Sequence, residues 1–346
     1  MKPKLSVILC THNPRPDYLA RTLSALQIQT LALEQWELLL VDNASEQILA
    51  STIDLSWHPQ SRHIRENQLG LTPARLRGIQ EATSETLVFV DDDNVLNADY
   101  LEIALSISQT SPIIGAWGGQ IRAEFEVPPP VWAEPYHLGF LAIREFNRDK
   151  WSNLLHQHDT TPCGAGLCVR KGVADQYAEV VRHDPKRLQL DRKGQSLSSC
   201  GDTDLAFTAC DMGLGTGQFT ALQLTHLISA NRLTPEYLSR LIQGVTYSQV
   251  VLDSLRGKFP TRQPASLAKR WLRRLYHFWT LPPFERRMRQ ARIRGEELAI
   301  RAIGWEPTET PENLPLKPEY ADQTAACKIP TQITSPICVS ASRLNS

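Results

Sequence analysis

The sequence predicts an α/β protein: a mixed, mainly parallel sheet sandwiched by helices, with a helical C-terminal extension. Three observations carry that expectation. Runs of strand length that are apolar almost throughout recur early in the chain, as "LSVILCT" (5–11), "WELLLVDN" (36–43) and "TLVFVDDDN" (86–94). Helical patterns separate them, and strands apolar on both faces belong to sheets covered on both sides. Polar residues gather where the runs end, the edge at which open α/β sheets bind ligands.

Taken in order, the first run is closed by "HNPRP", and a helix is expected from about Asp17 to Gln29. "RHIRE" (62–66) reads as a shorter, more polar third strand. "TPARLRGIQEA" (72–82) reads as a helix with Thr72 as N-cap and Pro73 at its first position, where the missing N–H is harmless. After the fourth strand a helix is expected from about Asn97 to Gln109. The middle, 113–232, is less regular, with "IIGAWGGQI", a Pro-rich "VPPPVWAEP", "CGAGLCVRKGV" and "SSCGDTDLAFTACDMG". From about Leu233 to Ile303 the pattern is helical, and residues 261–301 hold eleven Lys and Arg against three Glu. Beyond Trp305 the chain turns to Pro, Thr, Ser and Glu, the composition of a disordered tail. Three regions are therefore expected: 1–232, 233–303 and 304–346.

With 37 basic and 37 acidic residues the net charge is zero, and nothing global points to nucleic acid. No apolar run reaches the about 20 residues that span a bilayer. The chain enters a strand pattern almost at once, without a secretory leader, so a cytoplasmic location is expected. The seven cysteines include no Cys-x-x-Cys pair and read as buried thiols of a reducing compartment. In "SLAKRWLRRLYHFW" (266–279), Leu267, Trp271, Leu275 and Phe278 recur at helical spacing, with Lys269, Arg270, Arg273 and Arg274 on other faces. Such a helix either covers the folded domain or makes a peripheral contact with an anionic membrane, at its inner face.

Asp91, Asp92 and Asp93 pose the chemical question, because they end a buried strand. Two unit charges about 4 Å apart repel by about 4 kcal/mol at an effective dielectric of about 20. A solvated turn is one answer; a hard divalent cation shared with substrate phosphates is another. Thr11, His12 and Asn13 follow the first strand, and Asp42 and Asn43 the second. Asp42 either closes an Asx-turn or accepts from a nucleobase or ribose. Arg75 and Arg77 are surface arginines or a phosphate clamp. Asp202 and Asp204 open a helix, where acids also serve as dipole partners. Two residues apart, they point about 200° away from each other. His226 is a lone histidine in an apolar run.

The segments "SVILCTHN", "LLLVDNAS", "NQLGLTPARLRGI", "FVDDDN", "CGAGLCVRKGV", "GDTDLAF" and "LQLTHLI", in that order over about residues 4–232, resemble family-2 glycosyltransferases of the GT-A fold. The resemblance implies a GT-A-like, Rossmann-type catalytic domain, a nucleotide-diphospho-sugar donor, a glycan or lipid-linked acceptor and a divalent metal, Mn2+ or Mg2+. It implies single displacement with inversion. On the donor side it places Thr11, Asn13, Asp42, Asn67, Arg75, Asp91 and Asp92. It places the metal with Asp91, Asp93 and His226, the base at Asp202, and the acceptor against Gly164, Gly166 and Gly201. Two departures stand out: Leu76 replaces the Asn of an Ala-Arg-Asn-x-Gly motif, and Gly201 replaces the Glu of a Glu-Asp motif. A sugar nucleotidyltransferase would need a Gly-rich, Arg-containing loop after the first strand, where this chain has "THNPRPD". A nicotinamide dehydrogenase would need Gly-x-Gly-x-x-Gly. The remaining alternative is a non-catalytic sugar-nucleotide-binding subunit.

Overall fold

The computed structural model describes residues 2–133, 138–259 and 281–304, with positions 268, 271, 272, 276, 279 and 280. Residues Met1–Trp305 form one compact unit. The expected tail beyond residue 304 and most of 266–279 lie outside the described residues.

Four parallel strands, β1 (Leu5–Thr11), β2 (Trp36–Asn43), β3 (Ser61–Glu66) and β4 (Thr86–Asp91), lie in the order β3-β2-β1-β4. Five more follow in the chain: β5 (Asn94–Leu96), β6 (Ile114–Phe125), β7 (Lys150–Ser152), β8 (Cys168–Arg170) and β9 (Gly215–Ile228). Strand β8 bridges β4 and β6 antiparallel to both, whereas β6 and β9 run parallel. Strands β5 and β7 pair antiparallel with β9. The sheet is mixed, but its long pairings are parallel.

The helices are α1 (Pro16–Gln27), α2 (Leu71–Glu81), α3 (Tyr100–Thr110), α4 (Lys171–His183), α5 (Gly201–Asp211), α6 (Pro235–Leu255) and α7 (Pro283–Ala302). Period-two alternation sorts them onto two faces. Leu5, Val7 and Leu9 of β1 pack with Leu19, Leu23 and Leu26 of α1 and Leu101, Ala104 and Leu105 of α3. Ile8 and Cys10 point the other way, into a core with Ala74 and Ile79 of α2, Tyr177 of α4 and Leu205 of α5. That double cover explains why these strands are apolar throughout. Truncating one of their large side chains to Ala costs about 2–5 kcal/mol. A Cβ at Gly78 would lie 2.3 Å from Ile8 Cγ2, so α2 sits directly on β1.

Two local expectations need correction. The N-cap of α2 is Gly70, at φ 141°, and Thr72 lies inside the first turn with its hydroxyl turned to Asp191. The third helix starts at Tyr100, not near Asn97, because residues 94–96 form the short strand β5. Helices α6 and α7 share a core: Leu238, Leu241 and Ile242 meet Met288 and Ala291, together with Ile228 at the end of β9. Among the described residues no helix is long and apolar enough to cross a membrane.

Candidate active site

The loops after β1 and β2 are locked together. Asn13, at φ 46°, donates its backbone N–H to Ser45 Oγ and accepts from Glu46 N at 2.9 Å. Asn tolerates that left-handed conformation better than most residues. Asn43 accepts from Gly70 N at 2.8 Å and donates to Glu66 O and Gln68 O, which seats the loop leading into α2. Asp42 is buried, and both its oxygens are engaged by the protein: Ser45 N and Leu49 N donate to them, and Arg65 pairs at 2.6 Å. Burial works against its ionisation, but these donors outweigh it and hold its carboxyl below the usual range. Asp42 thus caps the loop after β2 through the N–H groups of Ser45 and Leu49. Asn67 is exposed on the next loop, where its Oδ1 accepts from Arg65 Nε at 3.4 Å.

The acidic triplet ends β4 at the same rim. Thr11 Oγ1 donates to Asp92 Oδ2, and Thr22 Oγ1 donates to the Asp92 carbonyl at 3.1 Å. Burial and the charge of Asp93 push the Asp92 carboxyl up to about 7. Asp91 is also raised, by burial first, with Arg75 pulling against it. Asp93 goes the other way: burial raises it, but His226, Arg232 and Arg192 together hold it well below the carboxylate range.

Strand pairing explains the partner of Asp93. Asn94 of β5 stands opposite His226 of β9, which brings the His226 Nε2 to 3.2 Å from Asp93 Oδ2. That separation suits two neighbouring ligands of an ion with bonds of about 2.1 Å. Arg232 Nη1 lies 2.9 Å from the same oxygen and 3.1 Å from the same nitrogen. Among the described residues there is no group of three or more His, Cys, Asp or Glu that could hold a metal. Asp93 and His226 present one oxygen and one imidazole donor, donor types that Mn2+ accepts, with the Arg232 guanidinium held against both.

Asp202 occupies the first turn of α5. Its Oδ2 accepts from Gly164 N at 2.6 Å and its Oδ1 from Thr203 N at 2.7 Å. Arg75 of α2 is 4% exposed, within electrostatic reach of Asp191, Asp91 and Asp202, and bonds Asp191 at 3.1 Å. Asp204 diverges from Asp202, as the helical rotation requires. It is fully buried between Arg187 and Arg256, at 2.5 Å and 2.7 Å.

The glycines assigned to the acceptor side make room for the protein itself. A Cβ at Gly164 would lie 2.3 Å from Arg75 Nη2, one at Gly166 2.4 Å from Tyr100 Oη, and one at Gly201 2.2 Å from Asp191 Oδ2. Leu76, at the motif position where the resemblance has Asn, packs against the core under α2. Sequence reasoning missed Asp191, Arg192 and Arg232. Arg232 had a faint signal, a basic residue six positions beyond His226, but Asp191 had none, since its partner Thr72 is 119 residues away.

Residues 6–173 match glycosyl transferase family 2. Polypeptide N-acetylgalactosaminyltransferase 8 of Drosophila melanogaster is 34% identical over 104 residues, 29% of this chain and 18% of that protein. The crystal structure of S. aureus TarS superposes with a TM-score of 0.46 at 17% identity, covering 80% of this chain and 44% of the other. The chain thus spans less than half the length of either.

Proposed function

We propose that the protein is a divalent-metal-dependent, inverting glycosyltransferase. It moves a sugar from a nucleotide-diphospho-sugar to a hydroxyl of a glycan or lipid-linked acceptor, in cell-surface polysaccharide or glycoconjugate synthesis on the cytoplasmic side. The observation that carries this reading is the placement of Asp202 and the Asp93–His226 pair at the rim of a family-2 domain.

Bound between Asp93 and His226, Mn2+ or Mg2+ would supply Lewis-acid stabilisation of the departing nucleoside diphosphate. Asp202 is the general base. Two backbone N–H groups fix its orientation and leave lone pairs for the proton of the acceptor hydroxyl as that oxygen attacks the anomeric carbon. Attack opposite the leaving group inverts the centre. Arg75 and the exposed Arg192, whose charge reaches all three acids of the triplet, supply positive potential for the diphosphate. The chemistry is assigned to residues 1–232, with the helices of 233–303 as a packed cover.

The test is turnover by purified protein on a panel of UDP-, GDP- and dTDP-sugars, with manganese and with EDTA. Metal-dependent transfer or hydrolysis with inversion is the expected result. Donor binding without turnover would instead indicate a non-catalytic subunit, and full activity in EDTA would remove the metal from the mechanism.

One observation also favours the membrane contact. Trp271, Leu272, Tyr276 and Trp279 are helical and 65–81% exposed, beside the basic residues of 266–279. Exposed aromatics in a segment whose sequence is rich in Lys and Arg suit an anionic lipid interface. Flotation with anionic liposomes at low salt tests this: protein that stays at the bottom rules it out.

A further inference from the structure

Between α4 and α5 the chain buries a carboxylate that the proposed reaction has not used. Asp191 is 4% exposed. Its Oδ2 accepts from Thr72 Oγ1 at 3.0 Å and Arg75 Nη1 at 3.1 Å, both on the first turns of α2. Its Oδ1 accepts from Gly201 N at 3.2 Å, the first residue of α5. The next residue continues the clamp, since Leu71 N donates to Arg192 O at 3.0 Å. One loop therefore ties the starts of two helices together, and those helices carry Arg75 and Asp202.

The connection extends to the base. Arg75 Nη2 lies against Gly164, where an added Cβ would stand 2.3 Å away, and the Gly164 N–H holds Asp202 Oδ2 at 2.6 Å. A side chain at position 201 would collide with Asp191, its Cβ 2.2 Å from Oδ2. The absence of a carboxylate side chain at 201 is thus matched by a carboxylate arriving from the loop.

We infer that Asp191 is a positioning residue for sugar transfer: it fixes Arg75 and the start of α5 so that Asp202 meets the acceptor hydroxyl in a reactive geometry. This rests on the glycosyltransferase reading. Misplacement of reacting groups by about 1 Å costs on the order of 100-fold in rate.

The test compares wild type with Asp191→Asn, Gly201→Ala, Arg75→Gln and the Asp191→Asn/Arg75→Gln double variant, using the donor on which wild type turns over. Asp191→Asn should lower kcat about 10- to 100-fold, clearly more than it weakens equilibrium donor binding through Arg75. Gly201→Ala, which displaces the carboxylate without changing charge, should lower kcat in the same way. The double variant should be no slower than Arg75→Gln alone, because the two residues act through one contact. An unchanged kcat in Asp191→Asn overturns the inference, as does a loss that tracks thermal unfolding and donor binding equally, or additive losses in the double variant. A wild-type protein that turns over no donor overturns the glycosyltransferase reading and this inference with it, whereas an active wild type with an equally active Asp191→Asn removes this inference alone.

Discussion

Asp204 and the Asp91–Asp93 triplet are two ways of placing carboxylates inside one domain. Asp204 is completely covered and shared by two arginines, with Arg187 Nη1 at 2.5 Å and Arg256 Nη2 at 2.7 Å. The triplet concentrates three acids at the end of β4, and among the described residues only Asp93 has an arginine in direct contact, Arg232 at 2.9 Å. Burial first, and then the charge of Asp93, push Asp91 and Asp92 up, Asp92 to about 7. Where the fold needs rigidity it neutralises the charge from within. At the rim two of the three acids are instead held toward the neutral form, and the third is paired with Arg232 and His226.

The largest expected effect falls on another carboxylate, Asp202, which belongs to the rim and not to the interior. Asp202→Asn keeps the shape but cannot take a proton, so turnover should fall by about 10² to 10⁴ while donor affinity stays near wild type. Steady-state rates beside calorimetric binding decide this; near-normal turnover would move the base elsewhere.

Next comes the interior acid. Asp204→Ala leaves Arg187 and Arg256 buried without their carboxylate, and loss of one partner from a buried pair costs about 3–5 kcal/mol. Denaturant unfolding should register that loss, with donor affinity unchanged for the folded fraction. The sequence alone presents Asp204 as a helix-start dipole partner, whose removal costs only about 0.3–1 kcal/mol, so the measurement separates the two views.

Asp93→Asn sharpens the comparison from the rim side. Metal-dependent donor binding should weaken by at least about 100-fold, since even the outer partners of metal ligands are worth 10- to 100-fold. Titration of the donor with and without manganese tests it; equal affinity in the two conditions for wild type would dissolve the metal assignment. The variant also leaves Arg232 without its carboxylate, so a modest loss of stability should accompany it.

The smallest effect lies away from both sites. His58 is 2% exposed and packs edge-on against Trp36, with ring centroids 4.1 Å apart. Its Nδ1 accepts from Gln60 N at 3.1 Å, and burial pulls its pKa down to about 4. The unfolded chain takes a proton as pH falls below the ordinary value of 6.5, whereas the folded protein resists until about 4. Stability is therefore present above pH 6.5 and declines as pH falls from there to about 4. His58→Phe should flatten that slope in melts across the window, and an unaltered slope would assign it to other groups.

The parallel half of the sheet was legible because its signal is local. Continuous apolar runs at 5–11, 36–43 and 86–91 became β1, β2 and β4, and the polar residues at their ends share one rim. Of the strands β6 and β9, with 12 and 14 residues, only the apolar end of β9 around His226 was legible. Glycines and polar residues interrupt "IGAWGGQIRAEF" and "GTGQFTALQLTHLI", whose strand character comes from pairing with each other across about a hundred residues. Glycine at 164, 166 and 201 was legible as small but not for its reason, which is the approach of Arg75, Tyr100 and Asp191.

By itself the sequence determined the α/β class, the edge of the sheet that carries the polar residues, and the identity of the acids there. Periodicity and adjacency are properties of neighbouring residues, and they need no knowledge of the rest of the chain. Only the tertiary structure decided which of those acids are neutralised and by what. Asp93 meets Arg232 across 139 positions, Arg75 meets Asp191 across 116, and Arg256 reaches Asp204 across 52. Electrostatic compensation depends on distance in space, and folding sets that distance without leaving a trace in local pattern.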